Sequence, residues 1–303
     1  MSGMKIIKPT VITDAMLVSS SVAEPDVGEV LWIATTAYAK GFVVIRSTTH
    51  RKYERIVAGT TAILPENDPA NWMDIGPTNR WAMFDRKVGT ATKAATAITV
   101  VLRLGGISGL GALELVGRQL KASLTDSPGG TIVHSKTITL DGSVIESVYD
   151  WFFADFEQQS DAVMTDLPQH FTSGELTVEL TGTAGVAIGV LQAGQVIEVG
   201  RTKKGASVGI SDFSKKERDQ FGNFDVLERT WSKNSSMQVL TDAADFNKIY
   251  RRLASIRAVP CIYIGTDRPG FEPMITYGFY KDFGISVDYE HSHLLNIEIE
   301  GLS

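Results

Sequence analysis

ELTVEL, Glu175–Leu180, decides the fold class. Leu176, Val178 and Leu180 fall on one face of an extended segment and Glu175, Thr177 and Glu179 on the other, the period of a strand with one side buried and one side wet. The pattern recurs on both sides of it. Between Ala97 and Gly200 it predicts further strands at Ile98–Leu104, Ala112–Leu120, Thr131–Leu140, Val148–Phe156 and Val186–Val199, separated by turns such as SPGG at Ser127–Gly130 and DG at Asp141–Gly142. No helical period separates these strands. A parallel sheet would need crossover helices, so the segment reads as an antiparallel β-sandwich.

Further along, helical spacing appears once. In Ala243–Ala258, AADFNKIYRRLASIRA, the residues Phe246, Ile249, Leu253 and Ile256 form a stripe; Thr241 or Asp242 stands ready to cap its start, and Pro260 blocks its continuation. Strands expected at Asp225–Val239, Val259–Ile264, Ile275–Tyr280 and Leu294–Leu302 supply a sheet for that stripe, which makes the last third α+β. The polar stretch Gly200–Gly209 is the best linker candidate in the chain. The fold class expected is therefore mainly β, in three units: 1–75, an N-terminal segment with a small aromatic-rich module; 76–200, the sandwich; and 201–303, the α+β domain with one main helix. Three units suit a chain of 303 residues.

Composition narrows the function more than it names one. A net charge of −6 supplies no basic field for nucleic acid or anionic lipid, and no window of eighteen apolar residues suggests a spanning helix. One cysteine, Cys261, excludes an internal disulfide and sits in an apolar run as a small buried hydrophobe. The N-terminus lacks the apolar core of a secretion signal, so folding in a reducing cytoplasm is expected. Catalytic constellations do not emerge: there is no G-x-S-x-G, H-E-x-x-H or Walker loop, and LGGISGLG, Leu104–Gly111, lacks phosphate-loop spacing and reads as turn glycines. Asp150, Asp155 and Glu157 read as a solvated edge rather than an acid pair, and His291 and His293 lack a third ligand. Neither an enzyme nor a cofactor or metal is expected.

Two blocks resist this bland reading. NWMDIGPTNRWAMFDR, Asn71–Arg86, gathers Trp72, Trp81 and Phe84 among turn residues, as a domain entrance pinned by aromatic packing would. Before it, Gly28–Ile75 carries Trp32, Tyr38, Gly41, Val43, Tyr53, Pro65 and Trp72 at a spacing that resembles small carbohydrate-binding modules of chitinases and phage tails, which makes Trp32, Tyr53 and Trp72 candidate sugar-stacking rings. The second block is Val208–Val239 with its downstream partner. Asp212, Phe213, Ser214, Lys216, Phe221, Gly222 and Arg229, then Tyr277, Gly278, Phe279, Lys281, Asp282, Phe283, Glu300, Gly301 and Leu302, resemble the D-[FY]-S-x-K, F-G and Y-G-F-x-K-D-F…E-G-L pattern of tail-tip proteins of long-tailed bacteriophages.

The resemblance spans most of the chain and points to the distal tail proteins. It implies that the sandwich is a galactose-binding-like jelly roll and that residues 201–303 form a tail-ring assembly domain. It further implies a virion location at the tail tip, self-association in a ring, usually of six, and contacts with tail-tube and baseplate hub proteins. Asp212, Phe213, Lys216, Phe221, Arg229, Tyr277, Phe279 and Lys281 are the assembly residues it implies. One departure is clear: such proteins commonly place the ring-forming domain first, whereas here the matching unit is last. The alternative of another class is a carbohydrate-binding minor tail protein that engages a glycan on the host surface.

Overall fold

The computed structural model describes residues 3–140, 149, 152, 158–218, 221–268, 270–287 and 290–302. Strands β1 (Gly3–Pro9) and β2 (Leu17–Ser20) precede a small module of β3 (Ala37–Tyr38), β4 (Val43–Arg46), β5 (Arg51–Arg55), β6 (Gly59–Thr60) and β7 (Trp72–Pro77). Next come β8 (Thr92–Ala94), β9 (Ala97–Leu102), β10 (Gly109–Leu113), β11 (Gln119–Thr125), β12 (Ile132–Thr139), β13 (Ala162–Met164), β14 (Leu176–Thr181), β15 (Val186–Ile188) and β16 (Val190–Thr202). The last third holds β17 (Ser207–Asp212), β18 (Lys215–Arg218), β19 (Phe224–Leu227), β20 (Trp231–Asp242), helix α1 (Phe246–Ser255), β21 (Cys261–Ile264), β22 (Ile275–Ser286) and β23 (Ser292–Gly301). The fold is mainly β, with its one main helix near the C-terminus.

The sandwich follows from the alternation. A five-stranded sheet, in the order β12-β11-β14-β9-β2, turns Ile98, Val100, Leu120, Leu124, Val178 and Leu180 toward Leu110, Ala112, Met164, Leu191 and Ala193 of β10, β13 and β16. The chain moves from one sheet to the other and back between β9, β10 and β11, in the manner of a jelly roll. Two expected strands are each split. Ala112–Leu120 breaks because Glu114 adopts a positive φ of 52°, and Val186–Val199 breaks at Gly189, where a Cβ would collide with that same Glu114 side chain. The glycine run is turn only at its start. Gly105 has a φ of 76°, but Gly109 and Gly111 lie within β10, where a Cβ would press on Val196 and Ile262. The strand expected at Val148–Phe156 and the carboxylates Asp150, Asp155 and Glu157 lie outside the described residues, Tyr149 and Phe152 apart.

Beyond the sandwich, the strands close on themselves. The order β16-β1-β21-β22-β23-β20 is completed by Arg201↔Leu240 and Thr202↔Val239, which return β20 to β16 and make a six-stranded antiparallel barrel. A 3₁₀ turn at Ala243–Asp245 leads into α1, whose Ile249 and Leu253, with Ile256 just beyond, join Met4, Ile6, Val199, Tyr263, Leu295, Ile297 and Ile299 in one core. Neither capping candidate acts as a cap, since Thr241 Oγ1 donates to the His293 carbonyl instead and Asp242 makes no side-chain cap bond.

The sheet therefore crosses both expected unit boundaries. β1 comes from the first unit and pairs with β16 and β21, while β16 gives its first half to the sandwich and its second half to the barrel. Gly200–Gly209 is not a linker. Lys203 N–H donates to the Gln238 carbonyl, and the polar residues face out from a turn, Gly205 at φ 98°, between two strands that run on along β20. A second core of Ile7, Leu113, Val190, Ile262, Ile264 and Ile275 cements barrel to sandwich.

Candidate assembly interface

After the barrel closes, β17 continues along β20 and then leaves it. β18 and β19 pair antiparallel as a two-stranded arm, in which every residue of both strands is exposed. The register pairs Lys216 with Val226 and Arg218 with Phe224 on one face, and the Arg218 guanidinium lies 4.4 Å from the Phe224 ring centre. The base of the arm is braced internally. Lys216 Nζ donates to Asp212 Oδ2 at 2.8 Å and Ser214 N–H to Oδ1 at 2.9 Å, and these bonds hold the Asp212 carboxyl well below the usual carboxylate range. Arg229 N–H donates to Ser214 Oγ at 3.0 Å, which ties the returning strand to the same corner.

This arm is apolar for something so exposed. Ile210, Phe213, Phe221, Phe224, Val226, Leu227 and Trp231 all stand out of the fold, Phe221 at 80% and Ile210 at 66% exposure. A lone two-stranded hairpin is marginal in water, and these exposed apolar side chains alternate with the exposed Lys216, Arg218, Asp225 and Arg229. Sequence reasoning pointed to the segment through Asp212, Phe213, Lys216, Phe221 and Arg229; the fold gathers Asp212, Lys216 and Arg229 at the Ser214 corner, while Phe221 lies between β18 and β19. It did not single out Ile210, Val226, Leu227 and Trp231; the last three fall within Asp225–Val239, which reads from the sequence as one sheet strand but is divided between β19 and β20.

The other three assembly candidates lie elsewhere. Tyr277 is buried: Gln192 Nε2 donates to its hydroxyl at 3.0 Å, and that hydroxyl donates to the Arg86 carbonyl at 2.9 Å. It ties barrel to sandwich. Phe279 is half-buried on β22 opposite Glu300, and Lys281 is exposed at a bulge between Tyr280 and Asp282.

Of the sugar-stacking candidates, Tyr53 and Trp72 are buried with Tyr38 and Val44 in the module's own core, and neither has a ring face to offer. Trp72 packs edge-on against Tyr38, and the buried Arg55 guanidinium lies 4.9 Å from its ring centre. Trp32 is half-buried against this core beneath Arg46, 5.3 Å from its ring. A groove of about 500 Å³ between module and sandwich is lined by Asp26, Glu29, Val30, Lys52, Asn79 and Lys93 among others, none of them aromatic. So small a module spends its rings on its own stability.

The Asn71–Arg86 block does pin the entrance. Trp72 ends in the module core, whereas Met83 and Phe84 pack with the sandwich. Between them lies the buried Glu24 carboxylate, which accepts from Thr78 Oγ1 at 2.6 Å and Trp81 Nε1 at 3.2 Å, with His50 Nδ1 at 2.9 Å. The His50 ring stacks on Trp81 at 4.1 Å and its Nε2 reaches Asp14 at 2.7 Å. His293 is buried against Phe246, and among the described residues no group of three His, Cys, Asp or Glu could hold a metal ion. No protein-family model matches the sequence, and no curated protein matches it.

Proposed function

We propose that the protein is a non-enzymatic structural component of a bacteriophage tail tip, a ring-forming protein of the distal-tail kind that joins the tail tube to the baseplate. The observation that carries this reading is the exposed apolar arm, Ser207–Trp231, projecting from a closed barrel. Rings form when one heterologous contact repeats until it closes, and an arm on one side of a rigid barrel is a suitable donor for such a contact. The resemblance of Asp212–Arg229 to tail-tip sequences agrees with that use, and the sandwich and small module would then be carried at the periphery. The partners are further copies of this chain, the tail tube above and the baseplate hub below.

Native mass measurement and electron microscopy of the full chain test it. The expected result is a closed ring with an intersubunit contact of about 1,000 Å² or more. Replacing Lys215–Leu227 by a short glycine-containing turn should leave the barrel folded and dissolve the ring. A protein that stays monomeric at every concentration and within an assembled tail would reject the proposal.

A further inference from the structure

Helix α1, Phe246–Ser255, contains no acidic residue, and its exposed side presents Arg251 and Arg252, with Arg257 just after it. Lys248 on the same side is paired with Asp245, but none of the three arginines makes an ion pair among the described residues. Three unpaired guanidinium groups on one short surface stand out in a chain whose net charge is −6.

An opposite surface lies across the same strands. Leu295, Ile297 and Ile299 of β23 share the core with α1, so by strand alternation the exposed Asn296, Glu298 and Glu300 point away from the helix. In the β22–β23 register Asp282 stands directly across from Glu298, and Phe279 across from Glu300. Two carboxylates directly opposite in an antiparallel pair repel each other, so this wall carries a cost that a cation would relieve. Its other positions are small or uncharged: Ser236 opposite Glu298, Asn234 opposite Glu300, and Gly284 opposite Asn296. Lys281 stands beside it, displaced by the bulge between Tyr280 and Asp282.

The basic and acidic surfaces lie on opposite sides of one strand layer and cannot neutralise each other within a subunit. We infer that α1 of one copy docks on the β22–β23 wall of the next, with Arg251, Arg252 and Arg257 against Asp282, Glu298 and Glu300. This rests on the ring reading above and gives the ring its direction, because the two faces differ and point opposite ways.

The test is charge reversal in the full chain, read by analytical ultracentrifugation across salt concentrations. Arg251→Glu with Arg252→Glu, and separately Asp282→Lys with Glu298→Lys, should each weaken self-association by about tenfold or more, and the four changes together should restore it. Wild-type association should weaken as salt rises. Circular dichroism checks that the variants fold, and the milder Glu298→Gln, which should tighten the isolated fold while weakening association, replaces any that do not. A wild type that assembles while the reversals leave association unchanged overturns this docking and spares the ring; a wild type that never assembles overturns both.

Discussion

Gln192 on β16 and Tyr277 on β22 meet in a buried hydrogen bond of 3.0 Å, the polar stitch between sandwich and barrel. The phenol in turn donates to the Arg86 carbonyl, and Gln192 Oε1 has no hydrogen-bond partner among the described residues. Burial pushes the Tyr277 hydroxyl well above its ordinary range, so it remains a donor at any working pH. Tyr277→Phe should therefore lower stability by about 1–3 kcal/mol, the cost of leaving buried polar groups unpaired. Urea unfolding of the full chain checks this, and an unchanged midpoint would mean water satisfies the site.

Glu24 holds the small module to the body. Glu24→Ala removes the acceptor for Thr78 and Trp81 and the partner of His50 at once, so a loss of about 2 kcal/mol or more is expected. Hydrogen exchange should show where. Amides of Arg51–Arg55 and Trp72–Pro77 should lose protection while Leu176–Thr181 keeps it, and a uniform loss would refute a local latch.

Leu253 is fully buried between helix and barrel. Leu253→Ala should cost about 2–5 kcal/mol, whereas Tyr250→Ala, on a half-exposed side chain, should cost much less. Equal effects from the two would mean that the helix packs by another face.

Cys261 is buried, and that burial pushes its thiol up to about 12. The folded state thus disfavours the thiolate. The stabilisation is fully present below the ordinary thiol range and is lost as pH rises from that range toward about 12. At pH 8 a small thiol reagent should label the native protein only at the rate of barrel opening, and mild urea should speed labelling sharply. Immediate labelling without denaturant would contradict the closed barrel.

Periodicity made the sandwich and the helix legible, because Leu176, Val178 and Leu180, and likewise Ile249, Leu253 and Ile256, each fill one side of one local element. Closure was not legible. That Lys5 lies beside Ile264 depends on pairing strands from opposite ends of the chain, and no local pattern records which edges meet. Trp72 and Tyr53 illustrate a second limit, since a ring that packs and a ring that stacks on sugar have the same side chain, and only the surrounding Val44 and Tyr38 distinguish them. The arm was visible as an anomaly of composition, aromatic yet charged, but its exposure became visible only with the strands paired.

The placement of β1 sets a schedule for biosynthesis. As the chain emerges from the ribosome, Gly3–Pro9 appears well before Ile262–Ile264, which it needs as one of its neighbours. The sandwich, whose strands are all made earlier, can form and present β16 as a template on which the waiting strand lies down. Only when β21, β22 and β23 follow can the circuit close. Until then β1 has one of its two strand neighbours, and Met4, Ile6 and Ile7 lack the core partners that β21, β22 and β23 bring, so the apolar side of this strand is uncovered in the nascent chain and not in the finished molecule.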